Sequence, residues 1–178
     1  VANCHKLPAE QFVRRRLSVE DIVKDYADLL MKIKAINPKT EVIFTVSPVR
    51  HWKDGAHENN ISKGILLLAI DKLLRQFDFL HYFPAYEIQM DELRDYRYYA
   101  EDMLHPSEQA VKYIWERFSS AFFSEETIGI NKKIERFNNM LNHRPIHQQS
   151  KENQIFKRKL EEEKSALLKS YPFLTGRI

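Results

Sequence analysis

The sequence predicts an α/β fold: a parallel sheet flanked by helices, followed by a helical tail. Three observations lead there. Helix-like and strand-like segments alternate from residue 18 to residue 122. Two short runs rich in β-branched and aromatic residues, 41–47 and 79–83, are separated by a segment long enough to cross over between parallel strands. Past Ser124 the pattern turns polar and purely helical.

Residues 18–36 form the first predicted helix. Ser18 followed by Asp21 is a capping box with a shorter acid than usual. Val19, Ile22, Val23, Tyr26, Leu29, Leu30, Ile33 and Ile36 then recur at helical spacing, and Asn37-Pro38 stops the helix. Residues 41–47 (EVIFTVS) read as a buried strand, and 48–60 as a polar loop containing Asp54-Gly55. Residues 62–77 read as a second helix capped by Ser62, with Ile65, Leu66, Ala69, Ile70, Leu73, Leu74 and Phe77 inward. Residues 79–83 are a short strand, 86–93 a helical turn or two, and 95–106 a tyrosine-laden loop. Ser107 caps a third helix, 108–122, with Ala110, Val111, Ile114, Trp115 and Phe118 inward. Val1-Ala2 reads as the end of another strand. Two complete parallel strands make a poor independent core, because such sheets need cover on both faces. Further strands are therefore expected upstream of Val1.

The division falls at 1–123 for the α/β part and 124–178 for the tail. The chain has 178 residues, with 28 basic and 25 acidic side chains for a net +3. The tail holds 11 Lys and Arg against 7 Asp and Glu, so the whole basic excess sits there. Its segments 131–142 and 151–170 read as a solvated helical hairpin packed by Ile134, Phe137, Met140, Leu141, Ile155, Phe156, Leu160 and Leu167. The sharper alternative is a contact surface for another protein. Glu161-Glu162-Glu163 interrupts the basic run and argues against nucleic acid. No apolar run reaches the ~18 residues of a membrane span. The single cysteine, Cys4, excludes an intrachain disulfide framework and points towards a reducing compartment, the cytoplasm.

In an open α/β sheet, ligands bind beyond the carboxyl ends of the strands. Asn3-Cys4-His5, residues 47–51 and the loop after Phe83 should lie there. Asp102 and His105 form a D-x-x-H in such a loop. That spacing can bring a carboxylate onto the imidazole, fixing its tautomer and leaving the other nitrogen as a base. The bland reading is a helix-entry turn. The spacing alone is weak, since Asp54/His57 and Asp78/His81 repeat it. His81 falls in a strand, where i and i+3 face opposite sides. His57 falls in a polar loop. Asn3 reads as an oxyanion donor or a turn residue. Cys4 beside His5 is a poor thiol nucleophile, because adjacent side chains rarely converge. Ser47 and Ser62 carry no activating pattern. His51 and His57 fall short of the three or four ligands that zinc needs. Tyr96-Arg97-Tyr98-Tyr99 could stack on a sugar or base, or simply pack the loop.

The stretches VANCHKLP, TVSPVRHWKDG, ENNISKG, YFPAYEIQMDELRDYRYYAEDMLHPS and AVKYIWERF resemble the GSCFA domain family, in the SGNH/GDSL-like hydrolase superfamily. The resemblance covers about residues 1–123. It implies the three-layer sandwich of an SGNH hydrolase with its first strands missing. It also implies a serine esterase or acyl hydrolase, acting on a small-molecule or carbohydrate ester without metal or cofactor. His105 then matches the general base, Asp102 its orienting acid and Asn3 an oxyanion-hole donor. The serine and glycine blocks have no counterpart here and are expected upstream of Val1. His51, Lys53, Asn60, Ser62 and Lys63 match family positions that either line a pocket or brace its loops. The rival expectation is a non-catalytic carbohydrate- or protein-binding module on a degenerate hydrolase fold.

Overall fold

The computed structural model describes residues 7–13, 15–142 and 151–177. Val1-Ala2, read above as a strand end, lie outside them. The chain divides into two compact units, Val1–Trp115 and Glu116–Ile178, and helix dominates both.

The first unit opens its main helix, α1 (Val19–Ile36), with the predicted capping box. Ser18 Oγ accepts the Asp21 N–H and the Asp21 carboxylate accepts the Ser18 N–H, each at 3.0 Å. Strands β1 (Val42–Phe44) and β2 (Leu80–Tyr82) pair in parallel, Val42 opposite Leu80 and Phe44 opposite Tyr82. Both are shorter than their apolar runs. Hydrogen bonds from Val42 N–H to Phe79 O (3.0 Å) and from Phe83 N–H to Phe44 O (2.8 Å) continue the ladder at each end. Beyond Phe44 the first run leaves the ladder, and Ser47 Oγ turns back to accept the Val49 N–H at 3.2 Å.

Helix α2 (Gly55–Leu74) begins seven residues before the predicted start. Ser62 is therefore an interior residue and not the cap. Gly55 makes the early start achievable: its φ of 82° is a conformation that side-chain-bearing residues rarely adopt. A short turn, α3 (Ala85–Glu87), runs on into a π-helical turn over Ile88–Glu92, closed by Leu93 N–H on Ile88 O at 3.0 Å. Helix α4 (Glu108–Phe122) starts as expected, with Ser107 Oγ accepting the Ala110 N–H at 3.3 Å.

The core of this unit gathers Leu30, Leu73, Phe79 and Leu80, with Val23, Ala27, Val42 and Phe44 against them. Strand alternation puts Val42, Phe44 and Leu80 towards α1 and α2. Tyr26 meets the Phe44 ring edge-on at 5.7 Å, and the Lys34 ammonium sits 4.4 Å from the Phe79 ring centre. Two three-residue strands cover only part of an apolar helix stripe. Tyr26, Leu29, Ile36 and Leu66, expected inward, are exposed. So are Val111 and Trp115 on α4, where Ala110 alone is fully buried.

In the second unit, α5 (Glu125–Leu141) begins six residues before the predicted start, capped by Ser124 Oγ on the Thr127 N–H at 3.2 Å. It packs on α6 (Lys151–Ser170). Phe137, Leu167 and Leu174 are buried in this unit. Leu141 and Ile155, expected in the seam, are exposed. Arg136 and Glu163 pair at 3.5 Å, so one member of the acidic triplet answers a tail cation.

Candidate active site

Parallel pairing brings the carboxyl ends of β1 and β2 to the same end of the sheet. The chain then builds a tight loop over residues 98–107. Tyr99 and Pro106 face each other as an antiparallel bridge. Ser107 N–H donates to Tyr98 O at 2.9 Å, Ala100 N–H to His105 O at 2.8 Å and Met103 N–H to Ala100 O at 2.9 Å. To reverse so sharply, Met103 adopts φ 61°. A non-glycine residue in that region costs about 1–3 kcal/mol and persists only when its surroundings over-determine it.

The reversal turns successive N–H groups onto one carboxylate. Asp102 Oδ1 accepts the Leu104 N–H at 2.8 Å and the His105 N–H at 3.0 Å. Asp102 Oδ2 lies 2.6 Å from His105 Nδ1. The predicted pair is therefore in contact. The two backbone N–H groups first, and the imidazole after them, hold the Asp102 carboxyl down at about 2. Both side chains are open to solvent, His105 by 59% and Asp102 by 46%. With Nδ1 committed to the carboxylate, Nε2 is the nitrogen that can exchange a proton with a substrate.

The loop after β1 joins this one directly: Arg50 N–H donates to Leu104 O at 3.2 Å. The next residue, His51, has its own carboxylate. Its Nδ1 lies 2.9 Å from Asp54 Oδ2, and its N–H donates to Oδ1 of the buried Asn59 at 2.9 Å. Asn60 Oδ1 in turn accepts from Asn59 Nδ2 at 3.3 Å. Lys63 donates to the Ser47 carbonyl past the end of β1, and burial lowers its ammonium below the usual lysine range. Lys63 thus ties α2 to the loop after β1, while Asn60 meets only its neighbour Asn59. Ser62 and Asp54 line a surface groove of 490 Å³ together with Arg15, Arg16, Ile65 and Leu66. Lys53 is exposed in the turn ahead of α2.

Other expected features fall elsewhere. Asn3, Cys4 and His5 lie outside the described residues. Asp78 does not hold His81: the strand turns that ring to Glu41, whose Oε2 is 2.8 Å from Nε2. Tyr96 and Arg97 are exposed, Tyr98 and Tyr99 half-buried. Among the described residues no group of three His, Cys, Asp or Glu side chains could hold a metal ion, and no helix is long and apolar enough to cross a membrane.

Sequence reasoning missed two participants. The Asp54–His51 pair was hidden because the same aspartate also stands three residues before His57. Gln89, wholly buried in the π-helical turn, donates to Tyr98 O at 3.3 Å and braces the far end of the 98–107 loop. Its only signal was a polar residue between the apolar Ile88 and Met90.

Comparison with curated protein sequences and with solved structures returns no match. The family model described as the GSCFA family matches residues 1–118, which takes in both strands, the loop after β1 and the whole Asp102–His105 turn. The chain belongs to the GSCFA family.

Proposed function

We propose that this chain carries the base-and-acid part of a serine esterase or acyl hydrolase of SGNH type. In this reading the two-stranded sheet is the later portion of a three-layer sandwich. A serine upstream of Val1 attacks an ester carbonyl, and His105 Nε2 takes the hydroxyl proton. Asp102 holds the imidazole by Nδ1 and stabilises the imidazolium that forms. Asn3 donates to the oxyanion of the tetrahedral intermediate. His105 then returns its proton to the leaving alcohol, and water repeats the sequence to release the acid. The steps need no metal or cofactor from this chain. Acetylated carbohydrate is the proposed substrate class, by analogy with the superfamily.

One observation carries the reading: the 2.6 Å contact between Asp102 Oδ2 and His105 Nδ1, made while two backbone N–H groups hold the same carboxylate. A general base needs a fixed tautomer and a free opposite nitrogen, and this arrangement provides the first.

The test is hydrolysis of an aryl acetate by the full-length gene product. His105→Ala should lower turnover by roughly 10²–10⁴. Asn3→Ala should lower it by about 10²–10³. Full activity in His105→Ala sinks the reading. Carbohydrate binding with no turnover by the unmutated protein would establish the binding module instead.

A further inference from the structure

We propose that Arg50 is a positioning residue for the Asp102–His105 pair, clamping from outside the two peptide groups that the aspartate grips from inside. The functional meaning of the clamp rests on His105 being the general base, but its test does not require turnover.

The geometry is specific to two peptide planes. The Met103–Leu104 peptide presents its carbonyl to Arg50 Nη1 at 3.4 Å and its N–H to Asp102 Oδ1 at 2.8 Å. The Leu104–His105 peptide presents its carbonyl to the Arg50 N–H at 3.2 Å and its N–H to the same Asp102 oxygen at 3.0 Å. In a trans peptide the C=O and N–H point in opposite directions. Each plane is thus held at both ends, by Arg50 on one side and by Asp102 on the other. Hydrogen bonds linked through a shared peptide polarise one another, so the outer pair strengthens the inner pair.

The guanidinium is itself fixed. Arg50 Nη2 donates to the Tyr99 hydroxyl at 3.0 Å, and its Cζ stands 4.5 Å from the Tyr99 ring centre. Stacking and forked donation together are what a planar guanidinium supplies and a lysine ammonium does not. Between these contacts sits Met103 with φ 61°, a conformation that needs external support. Arg50 supplies that support from a segment about fifty residues away.

The experiment is NMR on the full-length protein, following the His105 Nδ1 proton and the Asp102 carboxyl titration. In the unmutated chain the proton should be shifted downfield and exchange slowly. Arg50→Ala keeps the backbone N–H on Leu104 O but removes the guanidinium from Met103 O and the Tyr99 hydroxyl. The proton should then exchange roughly tenfold faster or broaden away, as expected when charged hydrogen bonds are lost. The Asp102 midpoint should climb from about 2 towards the ordinary 3.8. Arg50→Lys keeps the charge but not the fork, and should fail to restore either signal. The His81 ring held by Glu41 should be unchanged throughout, which separates a local effect from loss of fold. Tyr99→Phe removes one acceptor and should loosen the His105 proton partially, which keeps the test decisive if Arg50→Ala does not fold. Unchanged His105 and Asp102 signals in the Arg50→Ala chain, or their full recovery in Arg50→Lys, would overturn the proposal. So would an unchanged His105 proton in Tyr99→Phe, should that variant alone fold.

Discussion

Asp54 holds His51 rather than His57, with 2.9 Å between Asp54 Oδ2 and His51 Nδ1. Its position at the entrance of α2 explains the choice. His57 lies within the first turn of the helix, whereas His51 stands on the incoming chain beside the carboxylate. The pair places a second oriented imidazole one residue beyond the hydrogen bond that joins the two loops. Asp54→Asn should remove the His51 Nδ1 proton signal while leaving His57 unchanged. Because the pair is partly exposed, thermal stability should fall by less than about 1 kcal/mol. NMR of the histidine rings and a melting curve check both halves.

Gly55 determines where α2 begins. Gly55→Ala meets no atom within 4 Å, so any cost is backbone conformation alone. With φ 82° the penalty should be about 1–3 kcal/mol. Chemical denaturation would measure it. A neutral result would mean that the helix starts later than Gly55, with Asp54 and His51 no longer held together.

Acid should loosen the Asp102–His105 turn in a defined window. The folded Asp102 carboxyl is held at about 2, below its ordinary 3.8. A depressed folded value means that the contribution is complete above 3.8 and is lost as pH falls towards about 2. Asp21 and Asp95 are lowered too, each chiefly by a backbone N–H, and act in the same direction. Asp102→Asn should therefore flatten part of the acid limb of a stability-against-pH curve and leave the curve's shape above pH 5 unaltered.

The fold should be most sensitive at Leu73. This side chain is almost wholly buried, in one cluster with Leu30, Phe79 and Leu80. Leu73→Ala should cost about 2–5 kcal/mol through lost transfer energy and the cavity left behind. The same change at Leu68, exposed on the same helix, should cost well under 1 kcal/mol by surface standards. Urea titrations of the two variants make the comparison.

Legibility in the sequence followed the range of the interactions. The α1 cap and the Asp102–His105 contact depend on residues three apart, and both were readable. So was the existence of both strands, because an apolar run of five to seven residues has few uses besides a sheet. The start of α2 was not readable, since Asp54-Gly55 signals a turn and His57-Glu58-Asn59-Asn60 has no apolar period. The exposure of Val111 and Trp115 was not readable either, because periodicity reports a stripe and not what covers it. Arg50 stands 49 and 53 residues from the groups its guanidinium contacts, and no local pattern marks such a residue.

The separation between the dyad's own contacts and the Arg50 contacts also orders their assembly in time. Short loops close in roughly 10–100 ns, so the turn around Asp102 samples its hydrogen bonds before the chain has collapsed. The Arg50 contacts close a loop of some fifty residues that includes α2 and β2, the crossover helix that follows β1 and the strand it leads to. They can form only once that crossover has docked. During refolding, transient contact between Asp102 and His105 should therefore precede a persistent one. The interval between the two would report how long the crossover takes to deliver Arg50.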